Sequence, residues 1–202
     1  MNIKKELEDI FLKSLNETRT YLKTDNEFAF LEDKFTGVVR TRTTAELCLS
    51  MIKIQKLKIR NYEKIIQKMI NWLIFKQNDD GSWNETHVNY DYPSSVFTAI
   101  CASTLFEAHM EIGIKISVEN LENAADFLIE QEISEGHFRK SEHYHADVLN
   151  ADAMVSAFLI KFGYYKNNSK YIKAAKRGMK NILKQQKSNG EIPYGTNIVD
   201  QI

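Results

Sequence analysis

The sequence has few residues that break helices, and this scarcity favours long helical segments. Only two prolines and eight glycines occur among the 202 residues. No stretch rich in glycine, serine or proline interrupts the chain, so we expect a single domain over residues 1–202. We divide it into repeats at approximately 1–30, 31–85, 86–140 and 141–195.

Net charge and long apolar runs are also lacking. The chain has 27 basic and 27 acidic residues and a formal net charge of zero, which excludes a general attraction to nucleic acid or anionic membranes. No run of about 18 apolar residues could span a bilayer, and the N-terminus lacks the apolar core of a signal peptide. We therefore expect a cytoplasmic protein with neither nucleic-acid nor membrane partners. A basic run at 161–187 fits the solvated face of a helix.

Cysteine is scarce too. Cys48 and Cys101 each stand alone within an apolar helical stretch, which indicates buried free thiols rather than a disulfide or a zinc pair. We expect no cofactor and no metal.

What the sequence does contain is a repeat of about 55 residues. Three similar segments each carry a glycine at the same point of the repeat, and a degenerate fourth has asparagine where a left-handed turn prefers glycine. We expect each glycine to end a helix, because glycine is common just past a helix C-terminus. The segments are marked by Asn26 and Phe28, Gly81 and Trp83, Gly136 and Phe138, and Gly190 and Ile192.

Two kinds of helix alternate along the repeat. Amphipathic segments have apolar residues at i, i+3, i+4 and i+7, and the segments between them are apolar nearly all round. A helix of the second kind must be covered by protein on most sides. The pattern predicts an all-α protein with two curved layers, in which the inner helices lie near 43–55, 94–108 and 150–162.

Two stretches resemble known α/α toroids. Residues 72–83, with Gln77, Gly81 and Trp83, resemble the Gln-Trp repeat of the squalene-cyclase and prenyltransferase type. Residues 163–175 resemble the hairpin turn of carbohydrate-active six-hairpin toroids, such as unsaturated glucuronyl hydrolases and N-acylglucosamine epimerases. The resemblance implies a partial α/α toroid, a double layer of helical hairpins.

The predicted number of helices is small for such a toroid. Complete members of the resembling families have roughly five to seven hairpins, and this sequence predicts about three and a half. We expect an open ring, a ring completed by a second chain, or a truncated product.

The segment after each glycine turn should lead to the N-terminus of an inner helix, at one mouth of a central cavity. Helix N-termini offer free N–H donors and partial positive charge, which suit a carboxylate or phosphate. We expect substrate contacts from Arg40, Arg42, His87, Tyr92, Tyr144, Asp152 and Tyr194.

The densest cluster of chemistry-bearing residues is at 142–147. In an extended segment alternate residues point the same way, so two imidazoles and a carboxylate could meet there. The candidate acids and bases are Asp91, His143, His145 and Asp147. The same cluster could instead cap the helix that starts near Asn150, or supply three metal ligands without an evident fourth.

The leading functional prediction is a pocket for an anionic saccharide, such as a uronic-acid or amino-sugar derivative, with hydrolase, lyase or epimerase chemistry. One alternative is a terpene-cyclase-like or peptide-modifying toroid, favoured by the Gln-x3-Gly-x-Trp turn. Another is a non-catalytic binding or scaffold module, favoured by the small number of hairpins. Fold alone does not decide among them.

The C-terminal edge is predicted to be an interface. The last amphipathic helix carries Gly178 on its apolar stripe, which would allow close approach of another helix. We expect a homodimer, or a separate partner subunit, through residues 171–202. Four later apolar residues have no downstream helix to cover them: Ile192, Ile198, Val199 and Ile202.

Overall fold

A computed structural model describes residues 3–143 and 148–195 of the chain. The protein is 59% helical, which confirms the all-α prediction. Seven α-helices lie within the described residues: α1 Ile3–Thr18, α2 Thr41–Lys56, α3 Glu63–Phe75, α4 Ser95–Ile112, α5 Val118–Glu130, α6 Leu149–Lys166 and α7 Ser169–Gln185.

Short antiparallel hairpins connect the outer helices to the inner ones. Their strands have two to four residues, too short to give a clear period-2 signal in the sequence. The pairs are β1 Leu22–Thr24 with β2 Ala29–Leu31, β3 Asn84–His87 with β4 Tyr90–Pro93, and β5 Glu132–Ser134 with β6 His137–Phe138.

The helices form two layers. Helices α2, α4 and α6 pack side by side, and α3, α5 and α7 cover them from outside. The inner helices coincide with the three predicted segments, so the alternation of helix types is confirmed. Cys48 and Cys101 are fully buried free thiols, as predicted.

Each inner helix is anchored in the same way to the segment before it. A backbone N–H donates to a side-chain oxygen on the inner helix that follows, at a position that recurs once in each of the three inner helices. Such bonds stabilise the hairpins because a buried N–H without a partner is costly. The three bonds run from Leu31 to Thr44 (2.9 Å), from Trp83 to Thr98 (2.9 Å) and from Phe138 to Asp152 (2.7 Å).

The glycines do not end the outer helices, and that prediction was wrong. Helix α3 ends at Phe75 and α5 at Glu130, several residues before Gly81 and Gly136. The residues that follow these helices directly keep right-handed backbone conformations.

The glycines instead let each turn press against the next outer helix. A Cβ atom added at Gly81 would lie 2.3 Å from the backbone carbon of Asn123 in α5. A Cβ atom at Gly136 would lie 2.2 Å from the carbonyl oxygen of Arg177 in α7. Both glycines also have a positive φ, at which a side chain is strained.

Asn26 does not adopt the left-handed conformation that the degenerate first copy predicted. Among the described residues other than glycine, Lys58 and Asn167 are the ones with positive φ. Asp25 holds this first turn instead, because its Oδ1 accepts hydrogen bonds from the N–H groups of Glu27 (2.8 Å) and Phe28 (2.7 Å).

Gly178 is not available to a partner, which corrects the argument made from the sequence. A Cβ atom there would lie 2.1 Å from Ser156 Oγ and 3.0 Å from the ring of Phe138. The small residue therefore serves the packing of α7 on α6 within its own chain. Ile198, Val199 and Ile202 lie outside the described residues. No helix of the described chain is long and apolar enough to cross a membrane.

Candidate functional site

The β3–β4 hairpin divides the predicted site residues between two faces. Its register pairs His87 with Tyr90 and Thr86 with Asp91. Because successive side chains of a strand point to opposite faces, Tyr92 shares the face of Tyr90 whereas Asp91 lies on the other. Asp91, one of the predicted acids and bases, therefore lies on the face opposite to that of Tyr90 and Tyr92.

One face carries a column of stacked rings, which we name the aromatic ladder: His87, Tyr90, Tyr92 and His143. The first three rings are nearly parallel, with centroids 4.7 Å apart at each step. The ring of His143 lies 4.8 Å from that of Tyr92 at an angle of 56°. The ladder brings together three predicted residues and adds Tyr90, which the alternation of the strand could have indicated.

A partly buried ion pair lies beside the ladder. Lys140 Nζ is 3.1 Å from Oε1 and 3.0 Å from Oε2 of Glu85, and these side chains are only 18% and 13% exposed. Tyr90 Oη donates to Glu85 Oε1 at 3.4 Å. Burial, together with the charge of Glu85, raises the pKa of the Tyr90 hydroxyl. The sequence analysis missed this pair, although its members stand one repeat apart.

The other face of the hairpin borders a cavity of about 490 Å³, which we name the hairpin cavity. Asp91 lines it, and His87 reaches it from the end of the ladder. Thr86 fixes one wall by donating to the carbonyl oxygen of Val39 at 2.6 Å. The remaining lining is mostly polar: Val38, Thr41, Lys76, Asn78 and Asn84.

The two predicted arginines lie away from these features. Arg40 Nη2 donates to Asp33 Oδ2 at 2.9 Å, and this bond, together with those from the N–H groups of Thr36 and Phe35, lowers the pKa of Asp33 to about 2. Arg40 borders a separate cleft of about 480 Å³ between α1 and α2. Arg42 is exposed and pairs with Glu46 at 2.8 Å on its own helix. Both guanidinium groups are thus held by carboxylates of the chain itself.

Asp152 is fully buried and cannot touch a substrate directly, which corrects its predicted role. It occupies the position of Thr44 and Thr98 in the other repeats, where one oxygen anchors the backbone. Its Oδ2 lies 3.1 Å from His137 Nδ1 and accepts from Asn181 Nδ2 at 2.9 Å. Burial raises the pKa of this carboxyl, and the hydrogen bonds oppose the rise.

The fourth repeat, 141–195, is only partly described. The backbone oxygen of Tyr194 accepts from Leu149 N at 3.0 Å, so the exposed Tyr194 side chain lies near the start of α6. Tyr144, His145 and Asp147 lie outside the described residues. Within the part of the chain that the structure describes, no three His, Cys, Asp or Glu side chains could hold a metal ion.

Comparisons with known proteins identify the fold. No family model and no curated protein matches the sequence. A reducing-end-xylose releasing exo-oligoxylanase superposes with a TM-score of 0.66 at 14% identity, over 96% of this chain and 58% of the other. The same type of enzyme in complex with xylose gives 0.59 at 14% identity, over 97% and 61%.

A second kind of toroid also matches. The ent-copalyl diphosphate synthase of Streptomyces platensis gives a TM-score of 0.57 at 18% identity, over 81% of this chain and 30% of the other. The chain therefore has an α/α-toroid fold, as the sequence resemblance predicted. It spans about 58% of the length of the exo-oligoxylanase that it matches.

Proposed function

We propose that the protein binds an anionic saccharide at the β3–β4 hairpin and acts on it by acid–base chemistry. The aromatic ladder is the observation that carries this proposal. Sugar rings present faces of C–H groups that pack on the faces of aromatic rings, while their hydroxyls need hydrogen-bonding side chains nearby. Tyr90 is 36% exposed, and Glu85 and Lys140 supply the polar groups beside it.

The preference for an acidic sugar rests on the basic groups at the two faces. Lys140 lies beside the ladder and Lys76 lines the hairpin cavity. A substrate carboxylate would compete with Glu85 for the ammonium of Lys140, and such charge-assisted bonds are strong when they are partly desolvated.

We assign different steps of the proposed chemistry to the two faces of the hairpin. We assign the proton transfers to His143 with His145 and Asp147, the last two by sequence position alone. Asp91 is proposed to bind sugar hydroxyls or to act as an acid within the hairpin cavity. Hydrolysis, elimination and epimerisation all fit such a set of acids and bases.

Substitution of the ladder tests the proposal. We expect Tyr92→Ala to weaken binding of glucuronic acid by roughly tenfold, because it opens a gap between Tyr90 and His143, a loss of about 1–2 kcal/mol. Isothermal titration calorimetry measures this. Tyr164→Ala is the matched control, since Tyr164 is a more exposed tyrosine at the far end of α6. Equal binding by all three proteins would contradict the proposal.

A second substitution tests the anionic part of the ligand. Lys140→Met should reduce the affinity for glucuronic acid several-fold and leave that for glucose nearly unchanged, because only the acid has a carboxylate for the ammonium. Competition measured by saturation-transfer NMR gives both affinities. A parallel loss for both sugars would assign Lys140 a structural role.

The alternatives are weaker on present observations. A terpene-cyclase-like function needs an apolar cavity, whereas the hairpin cavity is lined mainly by polar side chains. The xylose complex of a protein with the same fold favours a saccharide. A binding module without catalysis would bind the sugar but release no product from it, which chromatography of the incubated sugar would show.

We also propose that the C-terminal edge, within residues 171–202, is an interface with a second copy or a separate subunit. Three exposed apolar side chains in its described part support this: Met179, Leu183 and Ile192. A cytoplasmic location and the absence of a nucleic-acid partner stay predictions.

A further inference from the structure

Four turns follow helices α1, α3, α5 and α7, and three of the turns dock on the next of these helices. The first turn, residues 24–28, accepts hydrogen bonds from α3: Lys68 Nζ donates to the Asp25 carbonyl and Asn71 Nδ2 to the Glu27 carbonyl. The second turn, 77–83, lies against α5 and the third, 131–138, against α7 through their glycines. Docking on a neighbouring helix is thus a regular property of these turns.

The second dock shows the contacts in most detail. Gln77 Nε2 donates both to Gly81 O of its own turn, at 3.0 Å, and to the Asn120 carbonyl of α5, at 2.8 Å. Asn120 Nδ2 returns a bond to Gln77 Oε1 at 2.7 Å. Gly81 approaches the backbone at Asn123 one turn further along the helix.

The fourth turn, 186–192, has the same internal hydrogen bonds as the second. Gln186 Nε2 donates to Gly190 O at 2.9 Å, as Gln77 does to Gly81. Gly190 N donates to the carbonyl oxygen of Lys187 at 2.9 Å, as Gly81 N does to that of Asn78. The N–H of Lys187 donates to Glu191 O at 2.8 Å, as that of Asn78 does to Ser82 O.

The fourth turn differs in having no helix against its glycine. The nearest atom to a Cβ added at Gly190 is Gln186 Nε2 of the same turn, at 3.9 Å. Within the described ranges 3–143 and 148–195, no helix of the chain comes as close to that position. The turn is therefore formed in its docking conformation with its docking surface exposed.

Helix α1 carries the matching sequence. Lys13 and Asn16 of α1 stand one repeat before Lys68 and Asn71, the pair that receives the first turn. Lys13 and its neighbour Ser14 are exposed, and Leu15 is buried like Ile70, its counterpart in α3. Helix α1 therefore has, at positions 13 and 16 of the sequence, the residue types that receive the first turn on α3.

The charges of the two helices concerned also favour contact. Helix α1 has four acidic and three basic side chains, whereas α7, which leads to the fourth turn, has six basic side chains and no acidic one. Opposite charges on two separate surfaces steer head-to-tail encounters and disfavour contact between like surfaces.

We propose that the fourth turn of one copy docks on α1 of a second copy, around Lys13 and Ser14. Such contacts are heterologous, so they continue until a ring closes or a chain grows. The inference specifies the interface proposed above at the C-terminal edge and is independent of the saccharide site, because neither surface includes the aromatic ladder.

Sedimentation velocity between about 1 and about 100 micromolar tests association. We expect oligomers of the unmodified protein, and at least tenfold weaker association for both Gly190→Ala and Lys13→Glu. Gly37→Ala is the matched control, because Gly37 also has a positive φ and no atom within 4 Å but lies outside both surfaces. A monomer at the highest concentration, or equal weakening by the control, overturns the proposal.

Mixing the two variants tests the head-to-tail arrangement. The Lys13→Glu chain retains an intact turn and the Gly190→Ala chain an intact α1, so an equimolar mixture should recover association as a heterodimer. A symmetric interface built from one surface on both copies would give no such recovery, and that result overturns the arrangement.

Cross-linking provides a direct distance test. The native thiols are fully buried, so cysteines introduced by Ser14→Cys in one chain and Asn189→Cys in another are the reactive ones. We expect a bismaleimide to join this mixture at least tenfold faster than a mixture of Thr36→Cys and Asn189→Cys chains. Equal rates contradict the docking. Unchanged glucuronic acid binding by Lys13→Glu separates this result from the saccharide proposal.

Discussion

The second and fourth turns have the same hydrogen bonds but different surroundings. Around Gly81 the backbone of α5 is so close that no side chain fits, whereas Gly190 has open space on the same side. Gln77 makes three hydrogen bonds, two of them to α5, and Gln186 donates one within its own turn. The turn conformation therefore forms without the neighbouring helix, and docking adds a second layer of constraint.

The largest expected effect breaks a docked turn. Gly136→Ala should lower the free energy of unfolding by more than about 3 kcal/mol, because it combines a left-handed backbone, costing about 1–2 kcal/mol, with a clash against the main chain at Arg177. Gly190→Ala has the backbone strain alone and should cost only about 1–2 kcal/mol. Urea denaturation followed by circular dichroism compares them, and equal losses would show that docking is not what constrains Gly136.

An intermediate effect concerns the carboxylate that locks the third turn. Glu132 Oε1 accepts from Arg177 Nε at 2.7 Å and from Gly136 N at 2.8 Å. We expect Glu132→Gln to lower the free energy of unfolding at neutral pH by about 1–3 kcal/mol. Glu191→Gln is the control, since that exposed carboxylate pairs with Lys187 on the undocked turn and should change stability little.

The same carboxylate gives a pH dependence. The bond from Arg177 is the main cause that lowers the pKa of Glu132 in the folded state, below its ordinary value of 4.5. Its stabilisation is therefore complete above pH 4.5 and is lost as the pH falls through the lowered pKa. The difference between Glu132→Gln and the unmodified protein should shrink over that range in denaturation experiments. A constant difference down to acid pH would contradict the assignment.

The smallest expected effect compares the two glutamines. Gln77→Ala should cost about 1 kcal/mol, because it leaves a carbonyl and an amide of α5 without their partner. Gln186→Ala, on the exposed turn, should cost less than about 0.5 kcal/mol. Thermal unfolding of the two variants measures both losses of stability. A greater loss for Gln186→Ala than for Gln77→Ala would contradict the prediction.

The sequence predicted the two layers well because buried helices lack charged residues. No charged residue occurs from 94 to 106, which indicates a helix covered by protein on most sides, and α4 is such a helix. The repeat spacing then placed α2 and α6. The sequence showed where the glycines recur but not what they do. Each docked glycine contacts a helix of the next repeat, which is far away along the chain.

The candidate site was harder to predict because it depends on contacts between repeats. Tyr92 and His143 were proposed from their residue types, and the structure stacks them. Asp91 was grouped with His143 because the strands of the hairpin were not foreseen, and alternation along β4 separates the two. Asp152 was predicted to lie at the mouth of the cavity, whereas it is buried and accepts a hydrogen bond from the backbone N–H of Phe138.

Many of the docking contacts between turn and helix use main-chain atoms on at least one side. Gly81 lies against the backbone at Asn123, and the carbonyl groups of Asp25, Glu27 and Asn120 accept the bonds between turn and helix. Main-chain atoms survive substitution, so neighbouring units can diverge freely in their side chains provided that a few turn residues remain. Such contacts would let a duplicated hairpin join the array without any matching mutation.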